Sequence, residues 1–454
     1  MTKTTRRMFL GSAAGTFFIP ARTLFGQELP RKQLRLAVVG AGGIGGMTRT
    51  ELCKAGATVA ALCDVNTNTL ASLAKRFPGI PTYIDWRDLF KHHMDFDAVA
   101  VCTPDHTHAI IALHAMRLGK HVYIQKPLAH SYEECRMLMA EQKRTGVVAQ
   151  MGNQHHPRGK AFKKLLDTGI IGDVTEVICW TDRPGRFWKA APKKYPTAGA
   201  YDRGFTAASW DLWLGPGPEH PCSPLIAPFK WRGWWDYGTG AIGDMAIHNA
   251  DPAFELLGWG PPVAVRGVCD EPVVASFPAR GKVELTFAPT PMCPRTVKFT
   301  WMNAGQTPPL PPGVHPKYVF GDNGLMFIGT KGVFNGVVWG GGVPVVIAAS
   351  DHAWNDETKE MQRAGMAALR GLEYHNHYRE FVDAAKAGNP EACASKMSYA
   401  APFTQALLVG AIGLRFPNRE LRFDPAAGRF TNCPEANEFL KAASRGPFTM
   451  KDFA

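Results

Sequence analysis

The sequence predicts an α/β protein in two parts. The first is an N-terminal Rossmann domain with a doubly wound parallel sheet. The second is a C-terminal α/β domain with a large open, mostly antiparallel sheet. Three observations carry this. From residue 31 to about 151, apolar strand-like runs alternate with helical stretches, the pattern that builds parallel sheets through right-handed crossovers. The first run, Leu36-Ala37-Val38-Val39, leads straight into Gly40-Ala41-Gly42-Gly43-Ile44-Gly45, a G-x-G-x-x-G. After about residue 152 the texture changes to Trp-, Pro- and Gly-rich loops between alternating runs, which read as antiparallel strands.

The bulk properties agree with this frame. At 454 residues the chain exceeds one typical domain, so two are expected. Its 45% hydrophobic and 20% charged residues are ordinary for a globular protein. No apolar run approaches the ~18–20 residues of a membrane span. The net charge of +12 is dispersed; without a clustered basic patch, no nucleic-acid partner is expected. The ten cysteines include no C-x-x-C pair, which argues against a zinc or dithiol site. Cys63, Cys102 and Cys179 sit inside apolar runs, where a thiol acts as a small hydrophobe.

Residues 1–30 stand apart. Thr5-Arg6-Arg7-Met8-Phe9-Leu10 precedes a weakly apolar stretch to Pro20 and looks like a bacterial twin-arginine (Tat) signal, which addresses folded proteins for export. A periplasmic or otherwise exported protein is therefore expected, with cleavage roughly between Ala21 and Gln27.

In the Rossmann domain, 31–151, strands are expected at 34–39, 58–63, 97–102, 121–125 and 146–151, and helices at 45–55, 67–76, 107–118 and 131–144. Gly40 allows the tight turn, Gly42 lets backbone approach a pyrophosphate, and Gly45 lets the helix pack close to the strand. The phosphates would sit at Gly43 and Ile44, on the first turn of the helix. The second strand ends in Asp64, 19 residues beyond Gly45, where a carboxylate takes the adenosine ribose hydroxyls and repels a 2′-phosphate. NAD is thus expected over NADP. In the second part, 152–454, strands are expected at 174–181, 263–269, 282–288, 295–302, 324–329 and 343–348, and helices at 373–387 and 398–415 packing back on the body. The aromatic loops between 182 and 238 read as walls of a pocket.

Three further motifs carry chemistry. The third strand ends in Cys102-Thr103-Pro104-Asp105-His106-Thr107-His108, the next in Gln125-Lys126-Pro127, and far downstream stands Gly243-Asp244-Met245-Ala246-Ile247-His248. Asp244 and His248, four apart, would share one face of a helix. An imidazole suits proton abstraction from an alcohol because its pKa lies near neutrality. An ammonium beside that alcohol favours the developing alkoxide. The H-x-H of His106 and His108 lacks a third ligand nearby, so no metal is expected.

Taken in order with these separations, the motifs resemble the Gfo/Idh/MocA family, the glucose–fructose oxidoreductase and inositol dehydrogenase relatives. The resemblance implies a substrate held between the two domains against the nicotinamide. It implies that Lys126 touches substrate hydroxyl and nicotinamide ribose, that His248 is the acid/base, and that Asp244 binds a hydroxyl or orients the ring. The turn Thr103, Pro104, His106, His108 and Gln125 would join Gly40–Gly45 and Asp64 around the cofactor. The family signature Glu-Lys-Pro has Gln125 in place of its acid, which puts the tuning of the lysine in question. Asn153, His155, Trp231, Arg232 and Tyr237 are candidate substrate contacts, and His155, His156 and Tyr237 are candidates for removing a carbon-bound proton in a glycosidase reaction. The expected activity is NAD-dependent removal of hydride from a secondary hydroxyl of a carbohydrate or polyol. A redox-neutral glycosidase with trapped NAD is an alternative, and a non-catalytic sugar sensor a second. The resemblance also implies a homo-oligomer, a dimer or tetramer.

Overall fold

The structure is a computed structural model that describes residues 33–154, 158–185, 188–270, 274–311, 319–336, 345–348, 360, 363, 367 and 376–453. The twin-arginine segment, His155, His156 and the start of the helix expected at 373–387 lie outside the described residues.

Six strands form the first sheet: β1 (Leu34–Val39), β2 (Ala57–Cys63), β3 (Thr82–Tyr83), β4 (Ala98–Val101), β5 (His121–Gln125) and β6 (Ala149–Gly152). All pair in parallel, in the order β3-β2-β1-β4-β5-β6. The order reverses between β1 and β4, the switch point beyond whose carboxyl ends ligands bind. Buried Leu36 and Val38 point to one face of β1, and Ala37 and Val39 to the other, as a strand covered on both sides requires. The covering helices are α1 (Ile44–Lys54), α2 (Thr67–Arg76), α3 (Trp86–His92), α4 (Asp105–Arg117) and α5 (Tyr132–Thr145). Helix α4 starts two residues before the expected 107, because Pro104 takes an extended backbone and the turn begins at Asp105. A Ser131–Glu134 capping box starts α5, and left-handed Gly146 ends it. The sequence reading omitted β3 and α3. The strand has two residues and the helix seven, too few for a period to show.

The second sheet comprises β7 (Val174–Trp180), β8 (Ala264–Cys269), β9 (Gly281–Phe287), β10 (Val297–Met302), β11 (Gly324–Gly329), β12 (Gly332–Gly336), β13 (Val345–Ala348), β14 (Glu420–Asp424) and β15 (Arg429–Phe430). Its order is β13-β12-β11-β7-β10-β9-β8-β14-β15, antiparallel except where β7 meets β10. Strand β9 alternates buried Val283, Leu285 and Phe287 with half-buried polar residues, so one face packs inward.

Two helices from the end of the chain connect the parts. Phe381, Val382, Ala384 and Ala385 of the helix His377–Ala387 join the core formed by Leu34, Leu36 and Val38 of β1. The helix Met397–Gly413 is apolar almost all round and buried on nearly every face, as a helix between two layers must be. Gly267 of β8 lets the strand approach this helix: a Cβ there would lie 2.1 Å from the Gly413 carbonyl oxygen.

Candidate active site

A cleft of about 940 Å³ runs from Gly42 and Asp64 of the first part to Asp244 and His248 of the second. Its first end is made of backbone. Gly40 has φ +78°, and a Cβ there would lie 2.7 Å from the Cys102 carbonyl group. A Cβ on Gly45 would stand 1.9 Å from the Gly40 carbonyl oxygen. Gly40 and Gly45 thus shape the loop from behind, while Gly42, Gly43 and Ile44 line the cleft. No atom lies within 4 Å of a Cβ placed on Gly43, which precedes α1 and gives that helix no side-chain cap. Open space before an uncapped helix N-terminus fits a pyrophosphate.

Asp64 braces this loop. Its carboxylate accepts the Gly42 N–H at 2.9 Å and the Asn66 N–H at 2.9 Å. Burial raises its carboxyl above the usual value, against the pull of the Asn66, Gly42 and Ala41 amides. Asn66 ties this end to the second part: its Nδ2 donates to the Arg203 carbonyl oxygen at 2.8 Å. The Thr67 N–H donates to the Gly204 carbonyl oxygen at 2.9 Å. Phe205 and Trp213 wall the same region.

At the other end Lys126 Nζ donates to Asp244 Oδ1 at 2.6 Å and to the Asp244 carbonyl oxygen at 2.9 Å. The Lys126–Pro127 peptide is cis. Gln125 is buried, and its amide donates to Thr48 Oγ1 of α1 at 2.8 Å. A neutral group thus stands where the family signature has an acid. Asp244 also accepts from Trp188 Nε1 at 3.1 Å and lies 3.6 Å from Arg232 Nε. Burial alone would raise its carboxyl. The Lys126 and Arg232 cations, with the bonds from Lys126 and Trp188, override this and hold it well below the usual range.

The single helix expected across Asp244 and His248 is divided. A π-helical turn spans Ile242–Ala246, and a short α-helical turn, Ile247–Asn249, follows. Gly243 is required there, since a Cβ would lie 2.0 Å from Thr239 Oγ1. His248 Nδ1 donates to the Asn153 carbonyl oxygen at 2.8 Å, so Nε2 is the basic nitrogen. Burial, then Lys126, pushes the imidazole down to about 3; the ring is neutral near pH 7.

Several predicted contacts sit elsewhere. Asn153 faces away from the cleft: Ser395 Oγ donates to its Oδ1 at 2.6 Å, and its Nδ2 donates to Asp251 Oδ1 at 2.9 Å. Tyr399 OH also donates to Asp251 Oδ1, at 2.7 Å. Asn153 therefore acts on His248 through its carbonyl. His106 and His108, expected at the cofactor, are buried behind the cleft wall. The His106 ring nitrogens lie 2.9 and 3.2 Å from the carbonyl oxygens of Trp213 and Tyr237. Those of His108 lie 2.7 and 2.8 Å from Thr103 and Pro127. Burial lowers both rings, to about 3 and about 4. Tyr237 is core, edge-on to Trp213, with its hydroxyl donating to the Pro218 carbonyl oxygen at 2.8 Å. Thr103, Pro104, Trp231 and Arg232 do line the cleft. Arg232 lies over the rings of Trp231 and Phe229, 4.2 and 4.6 Å from their centroids. Sequence reading missed Asp105 and Trp188. Asp105 stood between two residues already singled out, at the first position of a helix. Trp188 gave no signal, because only the fold brings it to Asp244.

Residues 34–153 match an oxidoreductase family with an NAD-binding Rossmann fold, and residues 157–276 match that family's C-terminal α/β domain. The chain belongs to the Gfo/Idh/MocA family. Inositol 2-dehydrogenase of Klebsiella pneumoniae (strain 342) is 38% identical over 153 residues, 32% of this chain and 45% of that protein. Levoglucosan dehydrogenase of Pseudarthrobacter phenanthrenivorans is 28% identical over 200 residues, 43% of this chain and 42% of that one. The chain thus spans less than half the length of these curated relatives. Two solved structures share the Gfo/Idh/MocA fold across most of the chain. The WlbA dehydrogenase from Bordetella pertussis, in complex with NADH and UDP-GlcNAcA, has a TM-score of 0.55 at 16% identity, covering 87% of this chain and 99% of that one. Levoglucosan dehydrogenase in complex with NADH and levoglucosan has a TM-score of 0.54 at 18% identity, covering 86% and 99%.

Proposed function

We propose that this protein is an NAD-dependent oxidoreductase that removes hydride from a secondary hydroxyl of a sugar, polyol or glycoside. One observation carries the reading: Lys126, Asp244 and His248 converge at one end of a cleft whose other end is a dinucleotide cradle. Inositol and levoglucosan, named for the relatives, are of this substrate class.

When bound, the nicotinamide supplies the hydride acceptor. The chain's residues supply the rest. His248, neutral and with Nδ1–H given to Asn153, takes the hydroxyl proton on Nε2. The Lys126 ammonium faces the oxygen as it gains charge and stabilises it electrostatically. Asp244 holds that ammonium in place through two bonds. Trp231 and Phe229, under Arg232, offer faces for the C–H groups of a sugar ring. The test supplies NAD and a panel of polyols, aldoses and glycosides to the purified protein and follows NADH. NADH formed with one of them, and lost in Lys126→Met and His248→Asn, is the expected result. No NADH with any of them, together with no aglycone release, would overturn the reading.

A redox-neutral glycosidase is the second reading, and the contacts between Asn66–Thr67 and Arg203–Gly204 favour it. They close the adenosine end of the cleft, which suits a cofactor that stays bound. In that reaction a sugar hydroxyl is oxidised to a ketone and the neighbouring C–H becomes acidic. The aglycone leaves, water adds, and the ketone is reduced again, so no NAD is consumed. Export through the twin-arginine route, and a dimer or tetramer, belong to the same proposal. Nitrophenol release from nitrophenyl glycosides without added NAD and without net NADH is its expected signature.

A further inference from the structure

The segment Tyr237–Thr239, just before the turn that carries Asp244, is gripped by three side chains of the Rossmann part, buried His106 and Asp105 and half-buried His130, one for each successive residue. The His106 and His130 rings meet the carbonyl oxygens of Tyr237 and Gly238, each at 3.2 Å. Asp105 Oδ2 accepts from Thr239 twice, from its N–H at 3.1 Å and its Oγ1 at 2.7 Å. Asp105 itself is 4% exposed.

Thr239 is in turn built into the catalytic turn. Its carbonyl oxygen accepts the Gly243 N–H at 3.2 Å, and its side chain fills the space where a Gly243 Cβ would stand. Asp244 is the next residue. The Rossmann part therefore holds this turn at two points: Lys126, just after β5, on Asp244, and Asp105, the first residue of α4, on Thr239.

We infer that Asp105 is a positioning residue that fixes the π-helical turn, and with it Asp244 and His248, against Lys126 across the domain junction. The inference rests on the reading of Lys126, Asp244 and His248 as the reacting groups. A hydrogen bond at one residue would fix a point; two bonds to the N–H and Oγ1 of the same residue fix an orientation. Burial raises the Asp105 carboxyl to about 7, while Thr239, Arg232 and Lys126 pull the other way. A displacement of about 1 Å in such a site costs on the order of 10²-fold in rate.

The test compares full-length, NAD-loaded wild type with Asp105→Asn, Asp105→Ala, Thr239→Val and the Asp105→Ala/Thr239→Val double variant. Asn keeps one acceptor oxygen and the shape, so kcat on a polyol falls about tenfold there and about 10²-fold in Asp105→Ala. KM and the Kd for NADH, read by its fluorescence, stay near wild-type values. The double variant is no slower than Asp105→Ala alone, because Asp105→Ala already removes both bonds to Thr239. An unchanged kcat, a parallel loss of NADH affinity, or additive effects would overturn the inference. Hydrogen exchange in the same proteins needs no turnover. Asp105→Ala should speed exchange in peptides from 239 to 249 and leave 34–63 unchanged. Unchanged exchange at 239–249 would sink the positioning role even if the wild type oxidises polyols. Faster exchange there in a protein that oxidises none would leave this role standing and remove the proposed activity instead.

Discussion

The two ends of the cleft are built in opposite ways. The adenosine end consists largely of backbone: glycines that leave room, and the loop amide of Gly42, which the Asp64 carboxylate at the end of the neighbouring strand β2 braces. The chemical end consists of side chains from distant points of the chain. Lys126 meets Asp244 across 118 positions, and Asn153 meets His248 across 95. Backbone recognition needs particular residues at fixed local offsets. Side-chain chemistry needs only that the fold converge. The first end should therefore fail in affinity when altered, and the second in rate.

The largest contrast is expected from Lys126→Met. Removing the ammonium should lower kcat/KM by about 10²–10³-fold. It also leaves the buried Asp244 with Arg232 as its one cation at hand and the Trp188 N–H as a neutral donor, and stability should fall by roughly 3 kcal/mol, visible as a lower Tm. NADH binding that vanished together with turnover would erase the distinction between the ends. At the first end, Asp64→Ser should cut the preference for NAD over NADP by about tenfold to 10²-fold and leave kcat with saturating NAD intact. The ratio of the two Kd values checks this; an unchanged ratio would move ribose recognition elsewhere.

Gly204→Ala sharpens the comparison at the boundary between the two parts. Gly204 has φ +90°, and a Cβ would lie 2.3 Å from Asn66 Oδ1, so the contact must loosen. NADH should dissociate several-fold faster by stopped-flow fluorescence, at little cost to the chemical step. An unchanged dissociation rate would mean that the contact does not retain the cofactor.

The smallest effect is a slope. In the folded protein His248 is held at about 3, against 6.5 as a free ring. Its pKa is depressed, so the unfolded chain binds a proton that the folded one refuses. The associated stability is present above pH 6.5 and is lost as pH falls toward 3. His248→Asn should make Tm less dependent on pH across that window. Equal slopes in variant and wild type would show the ring to be solvated.

How much was legible follows the same division. Gly40–Gly45 and Asp64 announce themselves because a strand, a turn and a helix N-terminus impose local rules. Lys126, Asp244 and His248 were legible only as members of a motif set; no spacing joins Lys126 to Asp244. His106 and His108 stood next to cleft-lining Thr103 and Pro104, yet α4 turns their rings inward onto carbonyl oxygens. A helix of 3.6 residues per turn sends neighbours in different directions. Tyr237 looked like a pocket wall and is core, because nothing local separates an aromatic that lines a cavity from one that fills it.

The sequence by itself determined the alternation of strands and helices, the glycine turn that opens α1 and the membership in a dinucleotide-binding family. These rest on interactions between residues close along the chain. The tertiary structure alone decided that Trp188 and Arg232 join Lys126 in holding Asp244, that Asn153 sets the His248 ring through its carbonyl, and that Asp105 grips Thr239. Each of these is a contact between segments far apart in the chain, brought together by burial of apolar surface that is indifferent to which polar groups it carries along.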